Sequence, residues 1–485
     1  MTSISRRSST LTLAFVAALA LAAWVSASDA RADDPAGMHP GVEAFAETHP
    51  GARISVIFRT DGSAERLATE VAAEGATEVY ALDMIGGVAA SVTADQLDRL
   101  SYDDDVEWVA LDAEMASSDK GEGERERDRG GIKTAYPFAA GAPGAWSAGA
   151  TGDGVTVVVI DSGISEHSDF QGRAHARFDL SSVSNGVRDR NGHGTYVAGI
   201  IGGRGKDYVG IAPRANLLSL RVSGDDGAAL ASDVVAALQW TVDHKDEYGI
   251  RVVNISLTST VPDSYKQDPL DAAVEQAWFH GIVVVVSAGN YGTDTFSADH
   301  APANDPYAIT VGAFDDMGTA DGSDDQLASW SSRGFTADGY AKPEVVAPGV
   351  GVTATLARNS NFAKEHGSLV VDRQYITLDG TSASAAVVSG SVALMLQDEP
   401  GLTPDQVKFR LMHSGGSLSG SAAPKVDAGA AVASTVTDGA NGDGVPNDLI
   451  DPETGDIMYD SVLWRSVLWR SVLWRSVEGA VLWRN

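Results

Sequence analysis

The chain has 485 residues, 44% of them hydrophobic and 7% aromatic, which is enough for a sizeable packed core and too long for one ordinary domain. Its 66 Asp and Glu against 35 Lys and Arg leave a formal net charge of -31, a field that repels phosphate backbones and so speaks against nucleic-acid partners. With no cysteine, disulfides, thiolate metal sites and cysteine nucleophiles are excluded together.

In chain order, Arg6 and Arg7 precede an apolar run from Leu11 to Val25, and Ala30-Arg31-Ala32 offers small residues at the spacing a signal peptidase reads. Residues 1–32 are therefore expected to be a signal peptide, which places the rest outside the cytoplasm. The run is short for a spanning helix. Residues 51–115 alternate short apolar strands, such as Arg53 to Phe58 and Val106 to Leu111, with helical stretches near Ala64 to Glu74 and Ala94 to Leu100, predicting a small α+β unit. Ser117 to Lys133 is dense in Glu, Arg, Asp and Gly, so it reads as a linker at 116–135 and an obvious place for a protease to cut.

From about Ala145 the texture changes. Near-continuous runs such as Val155 to Ile160, Asn216 to Val222, Ile250 to Leu257, Gly281 to Ser287 and Ala308 to Phe314 alternate with helix-length stretches, which predicts a doubly wound α/β domain over 136–435. Ligands of such domains bind beyond the carboxyl ends of the strands. After 435, an Asp- and Gly-rich stretch from Asp438 to Asp448 misses EF-hand spacing and reads as a polar loop. Ser-Val-Leu-Trp-Arg then stands three times in tandem from Ser461 to Arg475, with an echo at Val481 to Arg484. The repeat fits neither helical nor strand periodicity cleanly and is read as edge strands or a loose segment, with docking to a cell envelope or partner as the alternative.

Three polar residues of the α/β domain stand where chemistry is expected. Asp161 closes the run Val155 to Ile160. His193 sits in Asn191-Gly192-His193-Gly194-Thr195 before an apolar helix, and Ser382 sits in Asp379-Gly380-Thr381-Ser382 at the start of an Ala- and Val-rich helix. A Ser at a helix N-terminus sees backbone N–H groups and the positive dipole end, which favour developing negative charge. Each residue has a plain structural reading: a turn cap for Asp161, a satisfied polar side chain for His193, an N-cap for Ser382. Together they compose nucleophile, base and orienting acid.

Val159-Ile160-Asp161-Ser162-Gly163-Ile164, Asn191 to Gly199 and Gly380-Thr381-Ser382 resemble the three signature blocks of the subtilisin-like serine proteases, in that family's order. The resemblance spans roughly Ala145 to Ala430, and residues 51–115 resemble the family's inhibitory propeptide. It implies a peptide hydrolysis through an acyl-enzyme, with His193 as base, Asp161 as its partner and Asn290, in Ser287-Ala288-Gly289-Asn290, as oxyanion donor. It further implies substrate contacts from Ser256-Leu257-Thr258, from the opposite rail Gly227-Ala228-Ala229 and from Gly289. The implied partners are polypeptide substrates and the chain's own propeptide, on a monomer, with no metal or organic cofactor in the chemistry. The alternative carried with it is a catalytically silent binding protein on the same scaffold.

Departures from the family pattern are visible. Ala386 stands where Pro is usual, and Thr258 where Gly is usual beside the first specificity pocket, so a branched side chain there is expected to narrow the pocket. The loop Gly203 to Tyr208 reads as too short for the family's tight calcium site. A structural calcium is thus an open option without support, and Asp169 reads as a solvated acid rather than a ligand.

Overall fold

A computed structural model describes residues 35–457, apart from 50, 61, 119–132, 183–185, 443, 453–454 and 456. The expected signal peptide, most of the linker and the Trp-containing repeats lie outside the described residues. No helix among the described residues is long and apolar enough to cross a membrane.

The first unit is built on five strands: β1 (Gly37–Met38), β2 (Arg53–Arg59), β3 (Thr77–Leu82), β4 (Gly87–Thr93) and β5 (Trp108–Leu111), in the order β1-β5-β2-β4-β3. All pairs are antiparallel except β1 with β5. Helices Ala64–Ala73 and Ala94–Ser101 start where Ser63 and Thr93 cap them, and in the second the Gln96 side chain completes a capping box. Alternation along β2 explains why nearly every residue of that strand is buried. Val56 and Phe58 face the helices with Leu67, Val71, Leu97 and Leu100, while Ile57 faces the other way, into the core of the second domain. The helix Pro40–Thr48 joins the same packing through Val42, so the unit takes in residues ahead of 51.

The second domain is a mostly parallel sheet. Its central strands are β7 (Thr156–Asp161), β8 (Ala174–Asp179), β9 (Asn216–Arg221), β11 (Ile250–Ile255), β13 (Val283–Ser287) and β14 (Ile309–Asp315), in the order β14-β13-β11-β7-β9-β8. Val345–Pro348 extends it beyond β14 in parallel and Gln326–Leu327 in antiparallel. From β7 the chain runs to the edge strand β8 and returns to β9 beside β7, then crosses to build β11, β13 and β14 on the other side. The carboxyl end of β7, beside β11, is therefore the switch point where a crevice opens. The helix Thr381–Asp398 is buried from Thr381 to Leu396 because Ser, Ala, Gly and Val surround it on every side, and it packs against β11, β13 and β14.

Among the contacts that bind the parts, two are extensive. The docking face of the first unit rests on the helix Ala231–Asp243: Asp112 accepts from the Ser232 N–H and hydroxyl at 2.9 and 2.6 Å, the Tyr80 hydroxyl donates to Ser232, and the Met84 N–H donates to Gln239. Beyond that face, β6 (Glu114–Ser117) leaves the first unit and enters the second domain, antiparallel between β10 (Ala229–Leu230) and β12 (Leu257–Ser259). The Asp- and Gly-rich stretch also packs onto this domain. Asn447 is buried, its N–H donating to Glu275 and its amide to the Tyr265 and Asp268 carbonyls, and Leu449, Ile450 and Ile457 join the core.

Candidate active site

Asp161 ends β7 with no exposed surface, its Oδ1 accepting from the Ser162 N–H at 2.6 Å and lying 2.7 Å from His193 Nδ1. His193 opens the helix His193–Gly202. That helix can start here because Gly192 adopts φ 112°, and a Cβ at Gly192 would lie 2.6 Å from Ser360 Oγ, so glycine alone suits the turn. The imidazole is braced edge-to-face by Phe362 at 5.9 Å.

Around this pair runs a buried acid that sequence reading did not single out. Asp189 Oδ1 accepts from Ser162 Oγ at 3.0 Å and the Gly192 N–H at 2.6 Å, while Oδ2 accepts from the Thr195 N–H at 3.0 Å. The Ser162 hydroxyl in turn accepts from the Gly194 N–H at 2.9 Å. Burial pushes the Asp189 carboxyl up to about 6, against the pull of hydrogen bonds from Thr195 and Gly192, and neighbouring Asp161 adds to the rise. Asp189 satisfies the first-turn N–H groups that the His193 helix leaves open and ties them to the end of β7. The signal for it was its place one turn ahead of His193, which alone is too weak to separate it from an ordinary cap.

Ser382 is the second residue of its helix and fully buried. Its hydroxyl donates to the Ser256 carbonyl at 3.3 Å, and its N–H points at the Ser118 carbonyl at 3.5 Å. The same Ser118 oxygen accepts from Asn290 Nδ2 at 2.6 Å. Asn290 is aimed by Thr381, whose N–H and hydroxyl donate to Asn290 Oδ1 at 3.2 and 3.1 Å. One carbonyl of the chain itself thus sits against two convergent donors at the N-terminus of a helix, the arrangement that stabilises an oxyanion. The helices bearing His193 and Ser382 pack against each other, so both pairs lie at one end of the sheet.

The segment carrying that carbonyl is held as an added strand. Leu257 pairs with Ser117, Thr258 with Ala116 and Ser259 with Met115, while Ala229 pairs with Met115 on the other side. The Ser118 N–H donates to the Ser256 carbonyl at 3.3 Å. Main-chain pairing of this kind accepts many sequences, and specificity is left to the side-chain pockets.

The family model Peptidase_S8, described as the subtilase family, matches residues 152–444. The chain belongs to the subtilase family. Serine protease AprX of Bacillus subtilis (strain 168) is 39% identical over 272 residues, covering 54% of this chain and 61% of AprX. Subtilisin BL of Lederbergia lenta is 34% identical over 279 residues, covering 57% of this chain and 89% of its own. Among solved structures, fervidolysin from Fervidobacterium pennivorans, a keratinolytic enzyme related to subtilisin, aligns with a TM-score of 0.61 at 25% identity, over 79% of this chain and 61% of fervidolysin. By family, then, this subtilase is a subtilisin-like serine protease with the α/β fold expected from its strand runs.

Not every expected contact of the subtilase cleft is made the same way. Ser256, Leu257, Thr258 and Ala229 border the added strand directly, whereas Gly227 and Ala228 shape the turn leading into β10, with the Gly224 N–H donating to the Ala228 carbonyl. Gly289, at φ 91°, donates its N–H to the Thr381 hydroxyl and so helps set Asn290 rather than meeting the strand. Asp169 corrects an expectation: it is buried, not solvated. Burial pushes its carboxyl up, but the hydrogen bond and charge of His167, with hydrogen bonds from Tyr375 and Ser168, outweigh that and leave it below the usual range. Among the described residues, the three acids whose oxygens come close enough to share a cation are Glu70, Asp103 and Asp105, on the first unit, where Arg66 already pairs with Asp105 at 2.6 Å.

Proposed function

We propose that this subtilase is a secreted serine endopeptidase, made as a zymogen that cuts itself between Ser118 and Asp119. The observation that carries the reading is the Ser118 carbonyl, 2.6 Å from Asn290 Nδ2 and 3.5 Å from the Ser382 N–H. In the step this supports, His193 takes the Ser382 hydroxyl proton as Oγ attacks the Ser118 carbonyl carbon. Asp161, held to Nδ1 at 2.7 Å, keeps the ring oriented and stabilises the imidazolium. Asn290 and the Ser382 N–H hold the oxyanion. Collapse breaks the bond to the Asp119 nitrogen, which receives the proton from His193, and water then releases the acyl group by the same route. The first unit, with β6 still in the cleft, would remain as an inhibitor. Secretion rests on the apolar run ahead of Ala30-Arg31-Ala32.

The test is the intact chain with Ser382→Ala. It is expected to accumulate uncut, while the unmodified chain releases a fragment ending in Ser118, as read by mass spectrometry. Activity on casein should fall about 10^6-fold, the loss seen when subtilisin itself is stripped of its nucleophile. Ordinary maturation of the variant would remove the self-processing claim, and a released fragment ending elsewhere would remove the assigned bond.

A further inference from the structure

The side chain of Ser118 lies in a pocket whose nearest polar groups are hydroxyls. Ser287 Oγ donates to Ser118 Oγ at 3.0 Å, and Thr258 Oγ1 lies 3.5 Å from it. Ser287 and Thr258 are both buried, and Ser118 itself is 4% exposed. Ser287 is the last residue of β13, paired with Val311 just ahead of the Asn290 segment, and Thr258 lies in β12, whose register against β6 is fixed by three consecutive pairs. Strand pairing therefore fixes the backbone from which each side chain reaches Ser118. Thr258 is also β-branched and stiff at its first torsion, so its methyl and hydroxyl both stay at the pocket mouth.

We propose that Thr258 and Ser287 make this protease selective for a small residue, Ser above all, on the amino side of the cut bond. The inference rests on the reading that Ser118 occupies the site of a substrate residue. A large apolar side chain would meet Thr258 and leave the buried Ser287 hydroxyl facing carbon, and a buried donor that loses its partner is costly. A Ser side chain instead completes the hydroxyl chain from Ser287 to Thr258. Three residues upstream, Met115 is 1% exposed between Ala229 and Ser259, so an apolar residue is accepted there. The preferred substrates are accordingly polypeptide segments of the form apolar-x-x-Ser, lying extended along β12.

Two measurements on the intact chain test this. Ser118→Phe should slow self-cleavage at least tenfold, and adding Thr258→Gly should restore it by a similar factor. With quenched peptides Met-Ala-Ser-X, the unmodified enzyme should show kcat/KM for X of Ser or Ala at least tenfold above Phe or Leu. Thr258→Gly should reverse that order, and Ser287→Ala should lower Ser relative to Ala several-fold. An unmodified enzyme that favours Phe or Leu, or a Thr258→Gly protein with an unchanged ratio, would overturn the selectivity. If Thr258→Gly does not fold, the unmodified profile and Ser287→Ala decide. Fluorophosphonate labelling of Ser382 separates the two levels: a labelled enzyme with the wrong preference sinks only this inference, whereas an unlabelled, inactive one sinks the proposed function.

Discussion

Two of the contacts that the first unit makes with the protease domain work by different physics. In the cleft, β6 is held through backbone pairs and by two donors on one carbonyl, none of which titrates in the neutral range. On the docking face, the contact runs through carboxylates: Asp112 accepts twice from Ser232, and Asp233, next in the helix, lies 3.4 Å from the Tyr80 hydroxyl of the first unit, which donates to it. If the chain cuts itself as proposed, the contrast makes cutting and release of the first unit separable: cutting would depend on the reacting groups, and release on a buried acidic surface.

Variants of the reacting groups should stop the first event and leave the second intact. Asp161→Ala removes the acceptor that fixes the His193 ring at 2.7 Å, and activity on peptides should fall about 10^4-fold, on the scale of the equivalent loss in subtilisin. The chain should accumulate uncut, yet with the docking face formed, which protease-protection of the first unit would show. A variant within tenfold of the unmodified rate would contradict the role given to Asp161. Asn290→Ala should cost less, about 10^2 to 10^3 in kcat with KM little changed, again the subtilisin magnitude, because the Ser382 N–H still faces the oxyanion. If KM moved and kcat did not, Asn290 would be a binding residue and the oxyanion assignment would fail.

How much of this was legible in sequence follows from the range of the interactions. The central strands could be read because a parallel sheet covered on both faces makes continuous apolar runs, as in Val283 to Ser287. Asp161, His193 and Ser382 stood out by their places at a strand end and at helix starts, and their blocks, with that of Asn290, by resemblance to the subtilisin-like family; the turns that present them constrain those blocks, as Gly192 at φ 112° does. β6 could not. Glu114-Met115-Ala116-Ser117 has no strand alternation of its own, and its pairing partners lie more than a hundred residues away in another domain. β1 is two residues long and hydrogen-bonds only through backbone. The stretch around Asn447 reads as a polar loop by composition, and its burial is set by the carbonyls of Tyr265 and Asp268 and by Glu275, which composition does not reveal.

The docking face should respond to pH with a definite sign. Burial pushes the Asp112 carboxyl up to about 6, with Glu78 adding to the rise and the Ser232 hydrogen bonds opposing it. Burial likewise pushes Asp233 up to about 7, with Asp112 adding to the rise and the Ser182 hydrogen bonds opposing it. Asp112 belongs to the first unit, and release takes it away from Ser232 and removes its charge from beside Asp233, so both groups are expected to hold a proton more tightly docked than free. Docking strength is therefore complete below about pH 4, the ordinary carboxylate range, and is lost as pH rises through about 6 and then about 7. After self-cleavage, with the enzyme silenced by a fluorophosphonate, the two fragments should co-elute on gel filtration at pH 5 and separate at pH 8, their affinity falling at least tenfold over that interval. Asp112→Asn removes one titrating group while its amide oxygen can still accept from Ser232, so the same interval should produce a smaller fall. An affinity that stays level or rises from pH 5 to 8 would show that the carboxylates are not what loosens this face.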